Sequence, residues 1–353
     1  MKSELGLILS SLLVVSACAS VDKNAAYPHV QPVAETEEVA STGDAADDPA
    51  IWINENSPAD SLVLGTDKQA GLYVYDLSGS VQQFLEFGEL NNVDLRQNVQ
   101  FGGQEAFDIA AATNRSINGV SLFTIDDQGE VSAAGDFPVT TIEPYGLCVG
   151  YDESGYRVFV TYKTGEVEIF ELTREGDGFS SELKNTLQFG SQLEGCSYDE
   201  TQNMLFVGEE AAGVWRVALQ GDDEVGRQAL DVLGSETGLM ADVEGIDIWR
   251  GPANTGYVVA SAQEADRYVV YERAVPNRWV GTFAIGASSD ELIDGVSHTD
   301  GLTISSANLG GTFPEGILVV QDDSNGKKER TQNFKFISWS DVIIALNNQK
   351  IEP

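Results

Sequence analysis

Val158-Phe159-Val160-Thr161-Tyr162-Lys163-Thr164-Gly165-Glu166-Val167-Glu168-Ile169-Phe170 reads as two short strands joined by a polar tip. β-Branched and aromatic residues fill the flanks, and Lys163-Thr164-Gly165 supplies the turn. The same unit recurs from Leu62 to Tyr75, Ile109 to Ile125, Leu205 to Val217, Tyr257 to Tyr271 and Ile317 to Trp339. A further strand precedes each copy. Its opening carries an acidic or glycine-containing dipeptide, near Asp48, Asp94, Gly146, Gly195, Gly245 and Gly301. The successive intervals are 46, 52, 49, 50 and 56 residues. Long helical periodicity is nearly absent past residue 40. A repeat of this length holding three or four strands is a propeller blade, so the expected fold is all-β, a six-bladed β-propeller. One blade cannot bury both sheet faces alone, so the repeats form one domain. A two-sheet sandwich, the competing all-β fold, predicts no such repeat.

The chain has 353 residues, 42% of them apolar, enough for a sizeable core. Lys plus Arg is 20 against 56 Asp plus Glu, a net charge of −36. That charge excludes ordinary nucleic-acid binding, which needs a basic face, and a polybasic membrane-surface role. His29 and His298 are the only histidines, which argues against a His-rich metal site. The remaining partner class is hard cations held by carboxylates.

The N-terminus reads Met1-Lys2, then an apolar run from Leu5 to Val15, then Ser16-Ala17-Cys18. The run is too short to span a bilayer. Val15-Ser16-Ala17-Cys18 resembles the bacterial lipobox, and a plain signal peptide containing Cys18 is the alternative. The expected layout is a lipoprotein signal peptide over 1–17, lipidation at Cys18, a tether over 18–34 and the propeller over 35–353. The protein is then exported. It is lipid-anchored at the cell envelope, at the outer membrane in a Gram-negative cell, or secreted, and its only membrane contact is the lipid. Cys148 and Cys196 fall at the same place in neighbouring repeats. They are either bridged or two buried free thiols.

In a propeller, equivalent loops gather at one end of the axis. The tips between second and third strands offer Lys68, Arg115, Lys163, Glu209-Glu210, Gln263-Glu264 and Asp322-Asp323. The first-strand openings offer Asp47-Asp48, Asn91-Asn92, Glu143-Pro144-Tyr145, Glu194, Asp242 with Glu244, and Asp294 with Asp300. Three cations on such a rim, in so acidic a chain, suit an anion. Asp242 and Glu244 alternate on one strand and face the same side, which is costly without a cation between them. The bland readings are that Lys163 guards a strand edge, that Tyr145 packs in the core, and that His298 is a surface side chain. Asp126-Asp127 and Asp222-Asp223 read as turns.

These residues resemble the β-propeller phytases, the calcium-dependent alkaline phytases of bacteria. The resemblance is carried by Gly43-Asp44-Ala45-Ala46-Asp47-Asp48-Pro49-Ala50-Ile51-Trp52 and Asn91-Asn92-Val93-Asp94, then Thr113-Asn114-Arg115-Ser116 and Glu194-Gly195. Asp242-Val243-Glu244-Gly245, Thr299-Asp300-Gly301 and Gln332-Asn333-Phe334-Lys335 continue it, and it runs from about Glu35 to the end of the chain. It implies a phosphoric monoester hydrolase of the 3-phytase type. Such an enzyme takes phytate or calcium phytate to lower inositol phosphates through water activated by several calcium ions. By the same resemblance the active-site calcium ligands are Glu35, Asp47, Tyr145, Glu194, Glu210, Asp242, Glu244 and Asp300, with Gln263 beside them. Asp48, Asp294 and Asn325 match structural calcium positions. Lys68, Arg115 and Lys163 match the phosphate-binding cations, with Tyr145 at the substrate; Glu194, Glu210, Asp300 and Lys163 are the expected catalytic set. Where the family often has a second Lys, this chain has Gln69.

The chemistry agrees. Phytate and an acidic protein repel unless cations intervene, and clustered carboxylates provide the oxygen ligands Ca²⁺ prefers. No Arg-His-Gly motif is present, which removes the histidine acid phosphatase route. A calcium-propeller lactonase would want a His base at a repeat position, and neither histidine is so placed. The remaining alternative is a non-catalytic calcium-binding propeller acting as a surface adhesion module, which would not need the three cations. The chain is expected to act as a monomer.

Overall fold

Ile109-Ala110-Ala111-Ala112 alternates between two cores. Ile109 and Ala111 pack with Leu147, Val149 and Val158, while Ala110 and Ala112 pack with Leu64, Val74 and Leu90. Successive side chains of a strand point to opposite faces, so a sheet apolar on both faces must be covered twice. Neighbouring blades cover it. The computed structural model, which describes residues 24, 26–103, 106–153, 155–176, 178–326 and 331–349, contains six sheets. The expected leader and Cys18 lie outside the described residues.

The six sheets are six blades. Their inner strands are Ala46–Trp52, Leu90–Val99, Pro144–Asp152, Leu193–Asp199, Val243–Arg250 and Leu302–Ser305. Each inner strand contacts the next, and the sixth contacts the first, so the sheets close into a ring. One apolar cluster fills each of the six seams. The six-bladed propeller expected from the repeat is the fold observed.

The chain ends close the ring. Ala34–Glu35 pairs antiparallel with Asn333–Ser338 and supplies the outer strand of blade 6. His29–Val30 pairs in parallel with Trp279–Ile285 and gives blade 5 a fifth strand. The segment read as a tether therefore enters the sheets from residue 29. A helix over Trp339–Gln349, not anticipated from the sequence, covers blades 5 and 6. Trp339, Val342 and Leu346 form its buried stripe, with Trp339 stacked on Trp249 at 6.0 Å. Cys148 and Cys196, left open above, form a disulfide that joins the inner strands of blades 3 and 4.

Candidate functional site

In five blades the inner strand falls out of step with the second strand at the same place. The pairing shifts between Ala46 and Pro49, Leu90 and Val93, Pro144 and Leu147, Leu193 and Cys196, and Val243 and Ile246. Such a bulge re-aims a side chain. The first residue of each gap is Asp47, Asn91, Tyr145, Glu194 and Glu244. In blade 6 Asp300 takes the equivalent place before Leu302, its amide donating to Gln321 Oε1 at 2.9 Å. One side chain from each blade is thus set at the same end of the ring.

The second residue of each gap is Asp48, Asn92, Gly146, Gly195, Gly245 and Gly301. The glycines are required by the neighbour. A Cβ on Gly146 would lie 2.0 Å from the carbonyl of Glu194, and one on Gly195 would lie 2.0 Å from that of Glu244. On Gly301 it would meet Asp48 Oδ1 at 2.1 Å. The opening of blade 2 is the Asn91-Asn92 pair expected from the sequence, two residues before Asp94. Asp94 instead accepts the amide of Val149 in blade 3 at 2.9 Å.

The tips are fixed beside these openings by backbone bonds. The amides of Lys68, Arg115, Glu210 and Gln263 donate to the carbonyls of Ala45, Glu89, Gln192 and Asp242 at 2.7, 2.9, 3.1 and 3.0 Å. Blades 1 to 3 present Lys68, Arg115 and Lys163. Blades 4 to 6 present Glu194, Glu210, Asp242, Glu244 and Asp300. One arc of the site is cationic and the other acidic.

Glu194, Glu210 and Glu244 are all buried, with one oxygen of each within 4.8 Å of the others. Glu244 Oε2 and Asp47 Oδ2 are buried without a hydrogen-bond partner among the described residues, and Asp47 Oδ1 meets the charge of Lys68. Burial pushes the Glu244 carboxyl well above the usual range, and the charges of Asp300 and Asp47 add to this. Glu210 and Asp242 are raised by burial too, Asp242 with help from Glu264. Burial also pushes Asp300 up, to about 7, although Lys68 opposes the shift. Packed like charges with unpartnered buried oxygens fit a divalent cation, because a hard cation takes several carboxylate oxygens at once.

Lys68 Nζ sits 2.6, 3.0 and 2.7 Å from Asp44, Asp47 and Asp300. Burial works against its charge, but these three acids outweigh it and hold its pKa well above the ordinary lysine value. Gln263 Nε2 donates to Asp300 at 2.6 Å. Lys163, which is exposed, lies 4.2 Å above the half-buried ring of Tyr145. Burial pushes the Tyr145 phenol up, as do Glu244, Asp47 and Glu210. No ion pair or side-chain hydrogen bond engages the Arg115 guanidinium among the described residues.

Glu35, Asp294 and Asn325 gather elsewhere, around the fully buried Lys335. Its ammonium bonds Glu35, and it lies 2.6 Å from Asp294, 2.9 Å from Asn325 and 3.4 Å from Asp322. The structure groups Glu35 with that set rather than with the central glutamates. Asp48 accepts the amide of Val93 at 3.1 Å, and burial and Asp47 push its carboxyl well up. The partly exposed His298 lies 4.0 Å from Glu264. Asp126 accepts the amides of Gln128 and Glu130, confirming a turn.

Sequence reasoning passed over two of these participants. Asp44 stood inside the quoted opening segment without a role, and so did Lys335 in its own segment. Gln69 Nε2 turns back to the carbonyls of Thr42 and Asp44 at 3.1 and 3.0 Å, holding the loop that carries Asp44.

The sequence pattern of the phytase family matches residues 2–351. The chain is 38% identical over 347 residues to a 3-phytase of Bacillus subtilis (strain 168), covering 95% of this chain and 90% of that protein. A chain of the mitotic checkpoint complex crystal structure superposes with a TM-score of 0.49 at 12% identity, over 97% of this chain and 86% of that one; that likeness carries no argument.

Proposed function

The chain belongs to the phytase family and is an enzyme that hydrolyses phytate, and from this premise we propose that it does so with calcium held on the acidic arc, releasing lower inositol phosphates. Glu194, Glu210 and Glu244 would hold the cation, with Asp47, Asp242 and Asp300 around them. When bound, it supplies Lewis-acid activation of water and neutralises phosphoryl charge. The single observation that supports this reading is the buried triplet of glutamates with its unpartnered oxygen, within reach of the charges of Lys68 and Lys163.

The chain's own residues divide the work by arc. Arg115, whose guanidinium has no carboxylate partner among the described residues, offers a planar fork to a phosphoryl group and can take two of its oxygens. Lys163 adds a point charge, oriented by Tyr145 beneath it. Lys68 is held between Asp47 and Asp300, so its ammonium lies where the cationic and acidic arcs meet. There it stabilises charge on phosphoryl oxygens that approach the acidic side. No serine or histidine nucleophile is called for.

Phosphate release from calcium phytate, with and without excess chelator, tests the proposal. The expected result is loss of turnover on chelation, restored by Ca²⁺, and a lower melting temperature in chelator because a ligand bound to the folded state stabilises it. Full turnover in chelator overturns the calcium reading, though not the family.

A further inference from the structure

Glu194 owes its place to its backbone as well as its bulge, and that backbone is held from the neighbouring blade. The hydroxyl of Thr161 donates to the Glu194 carbonyl at 2.6 Å. Thr161 is fully buried and lies two residues before Lys163, on the second strand of blade 3. The device repeats. Thr113, two residues before Arg115, donates to the carbonyl of Tyr145 in blade 3 at 2.8 Å. Ser261, two residues before Gln263, lies 3.4 Å from the carbonyl of Thr299, next to Asp300 in blade 6. In blade 4 the same position is Gly208, where a Cβ would meet the carbonyl of Val243 at 2.9 Å, and no hydroxyl fits.

We infer that Thr161 is a positioning residue for the reaction: its hydroxyl latches the Glu194 carbonyl across the seam between blades 3 and 4 and so sets Glu194 against Glu210 and Glu244. The inner strands of adjacent blades share no backbone ladder, since they belong to different sheets. At two seams a backbone bond joins adjacent openings, Gly245 to the carbonyl of Asp300 at 2.8 Å and Gly301 to that of Asp47 at 3.0 Å; at the seam between blades 3 and 4 it is the Thr161 side chain that reaches the backbone of the site residue itself. Gly146 leaves the gap that the Glu194 carbonyl enters, with a built Cβ only 2.3 Å from Thr161 Oγ1. The Cys148–Cys196 disulfide fastens the same two strands two residues beyond Glu194. Thr113 does the same for Tyr145, which carries Lys163 above its ring. The inference rests on the proposed role of Glu194 in holding the cation.

Steady-state kinetics on calcium phytate, with melting temperatures, are compared for the wild type, Thr161→Val and Thr161→Ser. Valine keeps the shape and removes the donor; serine keeps the donor. Thr161→Val is expected to lower kcat about fivefold with KM changed less than about twofold, the size of one neutral hydrogen bond. Thr161→Ser is expected to stay within about twofold of the wild type. If Thr161→Val keeps wild-type kcat, or if serine falls as far as valine, the latch is wrong and the threonine serves packing alone. Should Thr161→Val not fold, Thr113→Val reads the same device on Tyr145: a raised KM supports it, and an unchanged KM overturns it. Insensitivity of the wild type to chelator would sink the calcium reading and leave this comparison standing.

Discussion

Arg115 and Lys68 carry the same charge in opposite circumstances. Lys68 is enclosed by three carboxylates, whereas Arg115 has none among the described residues. Arg115→Ala should therefore remove a phosphate contact and little else. Charge-assisted bonds of this kind contribute about 1.5–3 kcal/mol, so kcat/KM should fall roughly ten- to a hundredfold with the melting temperature unchanged. Arg115→Lys should stay impaired, because an ammonium lacks the fork. Wild-type efficiency in both variants would remove Arg115 from the site. The acidic arc makes a second prediction. Burial, then mutual repulsion, raises the carboxyl pKa of Glu244, and Asp300 reaches about 7. Below an unfolded carboxylate pKa of about 4, folded and unfolded chains are both protonated and these groups cost nothing. As pH rises towards 7 the unfolded chain sheds protons that the folded chain keeps, so stability falls. In excess chelator the melting temperature should drop between about pH 4 and pH 7. Added calcium should flatten that slope, since cation binding releases protons. A flat profile in chelator would show that the cluster does not titrate as described. The residue types were legible in the sequence. Which of them pair was not, because Lys68 and Asp300 are 232 positions apart and meet only through the closed ring.

At the scale of the strand, the bulge turns a repeat into a site. The dipeptides Tyr145-Gly146, Glu194-Gly195, Glu244-Gly245 and Asp300-Gly301 advertise it, because each glycine admits part of a neighbouring blade. Blades 1 and 2 carry Asp48 and Asn92 there, and without a glycine these openings are marked only by their polar pairs. Gly195→Ala should destabilise the fold by about 1–3 kcal/mol, the usual cost of overfilling a closed space, and should lower turnover through Glu244. Gly226→Ala, on an outer strand with open space around it, is the control and should be near neutral. Thermal denaturation of both variants decides, and equal melting temperatures would mean that the seam yields easily. The C-terminal helix is hard to read from the sequence because Val342-Ile343-Ile344-Ala345-Leu346 is one continuous apolar run, in which the buried stripe of Trp339, Val342 and Leu346 does not stand out.

The whole ring was legible as a count of repeats, since every seam needs an apolar face on both sides and the sequence shows six. Its closure was not. His29–Val30 and Ala34–Glu35 are two residues each, too short to carry a period, and their partners lie near the opposite end of the chain. Deleting the chain through residue 35 should lower the melting temperature by at least ~5 °C, since blades 5 and 6 each lose a strand. An unchanged melting temperature would make these pairings ornamental. The closure also sets an order of events. A ribosome makes Ala34 some three hundred residues before Phe336, its partner in blade 6. Until then Ala34–Glu35 waits without a ladder, and the blade that carries Asp300 lacks its outer strand. Contacts so distant along the chain make for slow folding. The growing chain is thus already strongly acidic long before its ring can close, and the centre that draws on all six blades is complete only when the two ends of the ring meet.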